Sequence, residues 1–243
     1  TPKHRTSGFL LDERLAIDAG SLATGMPLSL QFRMAGCLVS HAHLDHVKDL
    51  ATVADNRCQA HCDPLPVAAT AGTIRTLKKH FFNNCLWPDF SQIPNKRRPT
   101  IRFVELKPER LTRIAGYRVR AILVHHTIEC AGFIIRSPDG AIAYSGDTGP
   151  TDRLWELLRA EPDLRALLMD VSFPNREQRR ATVSGHHTPR TLHADLQKYG
   201  NPQDLPTLLY HIKPFFQSEV EHECARLEGV NLTVMALGDQ FVL

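Results

Sequence analysis

At 243 residues, 42% of them hydrophobic, the chain has enough material for one domain with a substantial core. Its net charge of +3, with acids and bases interleaved, makes no strong case for nucleic-acid or membrane binding. No apolar stretch approaches the ~20 residues of a membrane span, and no secretory signal is visible. Six scattered cysteines do not make a disulfide framework. Buried reduced thiols favour a reducing compartment, hence the cytoplasm. A periplasmic or secreted protein is the alternative if an upstream signal was removed. The chain opens on Thr1-Pro2-Lys3 rather than Met, which fits a segment missing upstream.

Residues 9–20 read as a hairpin with a charged turn, ending at Asp18-Ala19-Gly20. Asp18 is a turn-capping carboxylate and a candidate outer support for a metal. Cys37-Leu38-Val39-Ser40, bounded by Gly36, reads as a short buried strand. It runs into His41-Ala42-His43-Leu44-Asp45-His46. A helix is predicted over 44–56, with Asp45 as its cap and His46 in its first turn. Cys58 and Cys62 form a CxxxC pair, but no second pair of soft ligands follows at a useful distance. A strand at 67–69 leads to a helix capped by Thr70 and running through Ile74, Leu77 and Lys78.

The aromatic segment 79–90 reads as a core-packing loop in preference to a wall that stacks a planar ligand. Residues 95–99 are a basic, solvated loop. Strands are predicted at 101–106 and 117–124, joined by a polar turn, the second running into His125-His126-Thr127. Strands at 132–136 and 141–144 flank the turn Ser137-Pro138-Asp139-Gly140 and lead to Ser145-Gly146-Asp147-Thr148. A helix starts at Asp152, and a buried strand over 164–169 ends at Asp170-Val171-Ser172-Phe173. Thr188 or Pro189 opens another helix, and the strand 207–210 is followed at once by His211. A helix from about 217 to 227, a strand over 232–237 and a closing strand over 241–243 complete the chain. Two mixed sheets with helices outside account for this order.

Three imidazoles and a carboxylate within six residues, directly after a buried strand, are hard to explain as a polar loop. Imidazole and carboxylate donors suit zinc, and also manganese or iron. Strand after strand ends in a metal-competent residue: His41, His126, Asp147, Asp170 and His211. Such ends converge at one edge of a layered sheet.

The chain resembles a class II cyclic-nucleotide phosphodiesterase of the metallo-β-lactamase superfamily, from about residue 9 to the C-terminus. The HxHxDH motif at 41–46 and Ser145-Gly146-Asp147-Thr148 carry the superfamily resemblance. Trp87-Pro88-Asp89-Phe90, Ser172-Phe173-Pro174-Asn175 and His211-Ile212-Lys213-Pro214 carry the class II branch, and Gly185-His186-His187-Thr188-Pro189 is a further marker of the resemblance. There are two departures. Val47-Lys48-Asp49-Leu50 stands where a small residue and an apolar run are usual, and the expected glycine-rich strand before residue 9 is absent.

The resemblance implies an α/β (α+β) fold, a four-layer αββα sandwich of two mixed β-sheets flanked by helices, as a single domain over 1–243. It also implies two divalent metal ions, zinc first, with Mn2+ or Fe2+ as alternatives. His41, His43 and His126 would hold one, Asp45, His46 and His211 the other, and Asp147 would bridge them. His126 is preferred to His125 for its spacing to Gly132. His186 would be the general acid, in preference to His187, with Asp170 orienting it. The implied reaction is hydrolysis of 3′,5′-cyclic nucleotides, cAMP or cGMP, to 5′-nucleotides by a metal-bridging hydroxide, with Asp45 and Asp170 also in the catalytic set. Lys213 would lend charge to the phosphate, although an exposed lysine is the commoner reading. The partner is a small-molecule cyclic nucleotide, and a homodimer is compatible with the pattern. The rivals are a hydrolase of another phosphodiester, RNase Z-like or acting on a cyclic dinucleotide, and a non-catalytic, metal-stabilised binding protein. The missing basic arm and the retained His186 argue against these.

Overall fold

Near-continuous apolar runs predict strands buried on both faces, and the N-terminal half is built that way. The computed structural model describes residue 1 and residues 3–243. It divides into an N-terminal unit, Arg5–Tyr117, and a C-terminal unit made of Thr1–His4 and Arg118–Leu243. In the first, β1 (Phe9–Leu11) and β2 (Leu15–Ile17) pair antiparallel. Arg14 N–H donates to the Leu11 carbonyl at 2.9 Å, and Asp12 and Glu13 both take positive φ. That turn matches the twist of a tight hairpin. β3 (Gly36–Leu38), β4 (Leu65–Ala69) and β5 (Ile101–Glu105) extend the sheet in parallel, in the order β1-β2-β3-β4-β5.

Two short helices, α1 (Leu22–Gly25) and α2 (Leu28–Arg33), carry too few turns to show a sequence period. Helix α3 (Leu44–Gln59) runs three residues beyond the predicted end at 56, so Cys58 is helical. Its Val47, Leu50, Ala51 and Ala54 are buried at helical spacing. Arg57, also buried, donates to the carbonyls of Gln31, Phe32, Met34 and Asp63, which holds the end of α2 against α3. The unusual Asp49 has a local explanation: it is buried and accepts from Thr24 N at 3.0 Å and Thr24 Oγ1 at 3.1 Å. Thr70 precedes α4 (Ala71–His80). Phe81, Phe82 and Phe90 lie in the core, as the preferred reading of the aromatic segment has it.

The polar turn predicted between residues 106 and 117 contains a further short strand, β6 (Leu111–Ile114). In the C-terminal unit the strands run in the order β12-β11-β10-β9-β8-β7. These are β7 (Tyr117–Val124), β8 (Cys130–Ser137), β9 (Gly140–Tyr144), β10 (Leu164–Asp170), β11 (Thr207–Tyr210) and β12 (Leu232–Val234). β7, β8 and β9 pair antiparallel; β9, β10, β11 and β12 pair parallel. Parallel neighbours need helical crossovers. α5 (Arg153–Arg159), α7 (Pro189–Leu196) and α8 (Gln217–Cys224) provide them. An additional helix, α6 (Gln178–Ser184), lies between β10 and α7.

Three predicted ends are corrected here. α8 stops at Cys224 rather than 227, and β12 stops at Val234 rather than 237. Residues 241–243 form no strand: Val242 is fully exposed and has nothing to bury its apolar side chain against. Trp155, Leu167, Met169, Leu192 and Leu209 are core residues of this unit.

The alternation of directions decides where polar residues fall. β7 and β9 are both antiparallel to β8, so they run the same way, and β10 and β11 follow β9. The residues after β7, β9 and β11 and the last residue of β10 therefore reach one edge of the sheet. These are His126, Asp147, His211 and Asp170.

Candidate metal centre

In the N-terminal unit the site grows from the polar end of β3. Helix α3 begins at Leu44, with His43 in the N-cap position. Asp45 therefore lies in the first turn rather than at the cap, where a carboxylate still complements the positive end of the helix. His41, His46, Ser40 and Asp18 are fully buried. Asp18 Oδ1 accepts from Ser40 N at 2.7 Å, and Oδ2 accepts from Ser40 Oγ at 2.7 Å. The same Oδ2 lies 2.7 Å from His46 Nδ1, which must carry the proton and so leaves a lone pair on Nε2.

Ser40 has one hydroxyl proton, and Asp18 receives it. Toward His41 Nδ1, 3.0 Å away, Ser40 Oγ can then only accept. Both imidazoles therefore present Nε2 as the donor atom to a cation. His41 Nε2 is 3.0 Å from His43 Nδ1. Two nitrogens on one tetrahedral zinc stand about 3.3 Å apart. Asp45 Oδ2 is 4.0 Å from His46 Nε2. Gly20 holds the helix start close: a Cβ there would fall 1.8 Å from the Asp45 carbonyl oxygen.

In the C-terminal unit, His126, Asp147 and His186 gather with ligand atoms within 4.8 Å of one another, as do Asp170, His186 and His211. His126 Nδ1 donates to the Gly185 carbonyl at 3.0 Å, which again leaves Nε2. His125 is exposed. Asp147 follows the turn at Gly146, whose φ of +64° and whose close approach to the Ala131 carbonyl, 2.8 Å from a would-be Cβ, both require glycine. Tyr210 Oη donates to the Gly146 carbonyl at 2.7 Å. Burial, then the nearby Asp147 and Asp170, push this phenol well above its usual range, so it stays a donor.

Asp170 is completely buried and is ringed by donors. Its Oδ2 accepts from His186 Nδ1 at 2.9 Å and from Thr148 N at 3.3 Å. Its Oδ1 accepts from Ser172 Oγ at 2.9 Å and lies 3.4 Å from His211 Nδ1. Burial alone would raise its pKa. The charge of His186 and hydrogen bonds from His186 and His211 outweigh burial and the opposing Asp147, and hold Asp170 well below the carboxylate range. His186 stacks on His211 at 5.1 Å and meets His126 edge-on at 5.0 Å.

His187 turns the other way. It is fully buried, with Nδ1 3.2 Å from Thr191 Oγ1 and Nε2 3.6 Å from Asp195. Burial lowers its pKa against the pull of Asp195, so it is a neutral core histidine. Ser172 and Gly185 stand in motifs of the resemblance, but their bonding partners His211 and His126 lie 39 and 59 residues away, so spacing alone gives no hint of these bonds.

The donor set fits divalent cations. His211 Nε2 lies 3.3 Å from Asp147 Oδ2. With a proton at Nδ1, these are two lone-pair atoms facing each other, a pairing that a shared cation stabilises. Nitrogen and carboxylate oxygen suit zinc and other first-row metals.

The pattern of the β-lactamase superfamily domain matches residues 17–212. The chain is 30% identical over 250 residues to a probable 3′,5′-cyclic-nucleotide phosphodiesterase of Yersinia pestis, covering 84% of this chain and 71% of that one. It is 29% identical over 209 residues to a 3′,5′-cyclic-nucleotide phosphodiesterase of Aliivibrio fischeri, covering 76% of this chain. It spans 61% of that relative's length. Among solved structures, unliganded yeast PDE1 superposes with a TM-score of 0.81 at 16% identity, over 97% of this chain and 94% of the other. The metallo-β-lactamase fold protein YhfI from Bacillus subtilis superposes with a TM-score of 0.77 at 16% identity, over 98% and 92%. These superpositions show the fold.

Proposed function

Because the chain belongs to the β-lactamase superfamily domain family, in the branch of its curated 3′,5′-cyclic-nucleotide phosphodiesterase relatives, we propose that it hydrolyses 3′,5′-cyclic nucleotides to 5′-nucleotides. One observation carries the reading beyond kinship. A buried carboxylate holds His186 by Nδ1, and His126, whose Nε2 is left as a ligand, meets the His186 ring edge-on. A binding scaffold has no need of such a proton donor.

The centre takes two divalent cations, zinc by its donor chemistry. The family's motif positions assign His41, His43 and His126 to one, Asp45, His46 and His211 to the other, and Asp147 to both. One catalytic domain over residues 1–243 is part of the same proposal. When bound, such cations activate water and neutralise the non-bridging phosphate oxygens.

The chain's own residues supply the rest. Asp170 orients His186, and His186 delivers a proton from Nε2 to the departing 3′ oxygen. Lys213, its ammonium 3.4 Å from His211 Nε2, adds positive charge for the phosphate. None of the six cysteines is in a disulfide, which suits a reducing compartment, and we place the protein in the cytoplasm on that ground. No helix among the described residues is long and apolar enough to cross a membrane.

The test is metal analysis together with a panel of cAMP, cGMP and linear phosphodiesters. Ring opening to the 5′-product with about two metals per chain is expected. Turnover of linear diesters alone, or turnover that survives exhaustive chelation, would overturn the proposal.

A further inference from the structure

We propose that Ser172 is a positioning residue that joins the metal ligand His211 to the carboxylate of the acid, Asp170. The argument is a count of protons. Ser172 Oγ lies 2.9 Å from Asp170 Oδ1, 2.9 Å from His211 Nδ1 and 3.1 Å from the His211 carbonyl. The hydroxyl has one proton to give. An ionised, buried carboxylate is the strongest of the three acceptors. With the proton on Asp170, the oxygen faces His211 with a lone pair, and His211 Nδ1 must be the N–H.

A second observation agrees. Lys213 Nζ stands 3.4 Å from His211 Nε2, and an ammonium can only donate. Nε2 therefore holds the lone pair that a cation needs.

The N-terminal unit contains the same device. There Asp18 holds His46 directly and His41 through Ser40. In each case one buried carboxylate sets the tautomer of two imidazoles, with a serine hydroxyl bridging to the second. In the C-terminal unit the ring held at 2.9 Å is the acid, and the ligand ring faces the same carboxylate at 3.4 Å with Ser172 bridging the two at 2.9 Å to each. Asp170 therefore couples the two roles, and Ser172 is the shorter link between them. The backbone around it has independent anchors, since Ser172 N donates to the His187 carbonyl at 3.0 Å and Lys213 N to the Ser172 carbonyl at 3.2 Å.

This inference rests on the metal-centre reading above, and its test is chosen to separate the two. Wild-type, Ser172→Ala and Ser172→Thr proteins are loaded with zinc and challenged with a chromophoric chelator, without substrate. Ser172→Ala should release one metal roughly 10–100-fold more readily, and Ser172→Thr should restore retention. On the same samples, 15N-histidine spectra should show a slowly exchanging imidazole N–H that is lost in Ser172→Ala and returns in Ser172→Thr. A Ser172→Ala protein that keeps its metal as wild type does, with that ring signal intact, overturns the role given to Ser172. A wild-type protein that takes up no zinc overturns the metal-centre reading instead, and the ring signals in its spectra still decide for or against Ser172.

Discussion

Asp18→Asn tests whether the carboxylate below the HxHxDH turn sets the ligand state of the imidazoles above it. The substitution keeps the shape and one oxygen, so the bond from Ser40 N survives. The new amide NH2 faces Ser40 Oγ and His46 Nδ1, both of which lie 2.7 Å from Oδ2 in the native protein. Ser40 can turn its hydroxyl, but the His46 N–H then meets another donor in a fully buried place. Leaving that donor unsatisfied costs about 1–3 kcal/mol of fold stability. His46 can escape by moving its proton to Nε2, which removes the lone pair that would bind metal. Loss of such an outer support lowers metal affinity about 10–100-fold, or about 1.4–2.8 kcal/mol at 1.4 per tenfold. Chelator competition on the zinc-loaded protein reads the affinity, and urea unfolding of the metal-free protein reads the fold. If Asp18→Asn binds zinc as tightly as wild type, the reasoning about tautomers is wrong.

Other expectations concern the C-terminal cluster. His186→Ala should keep its metals and lose about 10²–10⁴-fold in kcat on cyclic nucleotides, whose leaving group is poor; full activity would remove it from the mechanism. Asp147→Ala should lose metal as well as rate, and an unchanged metal content by elemental analysis would contradict a bridging role. Asp170 gives a pH signature. Its folded-state pKa lies below the unfolded value, so its contribution is fully present above the ordinary carboxylate range and is lost as pH falls through and below it. Urea midpoints of wild type and Asp170→Asn should therefore draw together as pH falls below about 5, and go on doing so below the ordinary carboxylate range. A gap that stays constant over that range would argue against an ionised Asp170.

Much of the architecture was legible because it rests on local patterns. The 9–20 hairpin, the strands ending at Leu38, Tyr144, Asp170 and Tyr210, and the long helix after His43 all announce themselves by periodicity and by turn residues. Short elements did not. α1, α2 and β6 are each too brief to show a period, and α6 buries only Ala181, so it has no apolar stripe to read. The closing residues Phe241, Val242 and Leu243 looked like a strand because they are apolar, but a strand also needs a neighbour to pair with.

For the site, the sequence by itself determined which side chains could bind metal and that each stands at or just after a strand end. The tertiary structure alone decided which nitrogen of each imidazole is left to bind. That choice is made by hydrogen bonds that His46 gives to Asp18, His211 to Ser172 and His126 to the Gly185 carbonyl, partners 28, 39 and 59 residues apart. A motif records residue types and spacings along the chain. A tautomer depends on which acceptor folding brings within about 3 Å of one ring nitrogen, and linear spacing carries no trace of that.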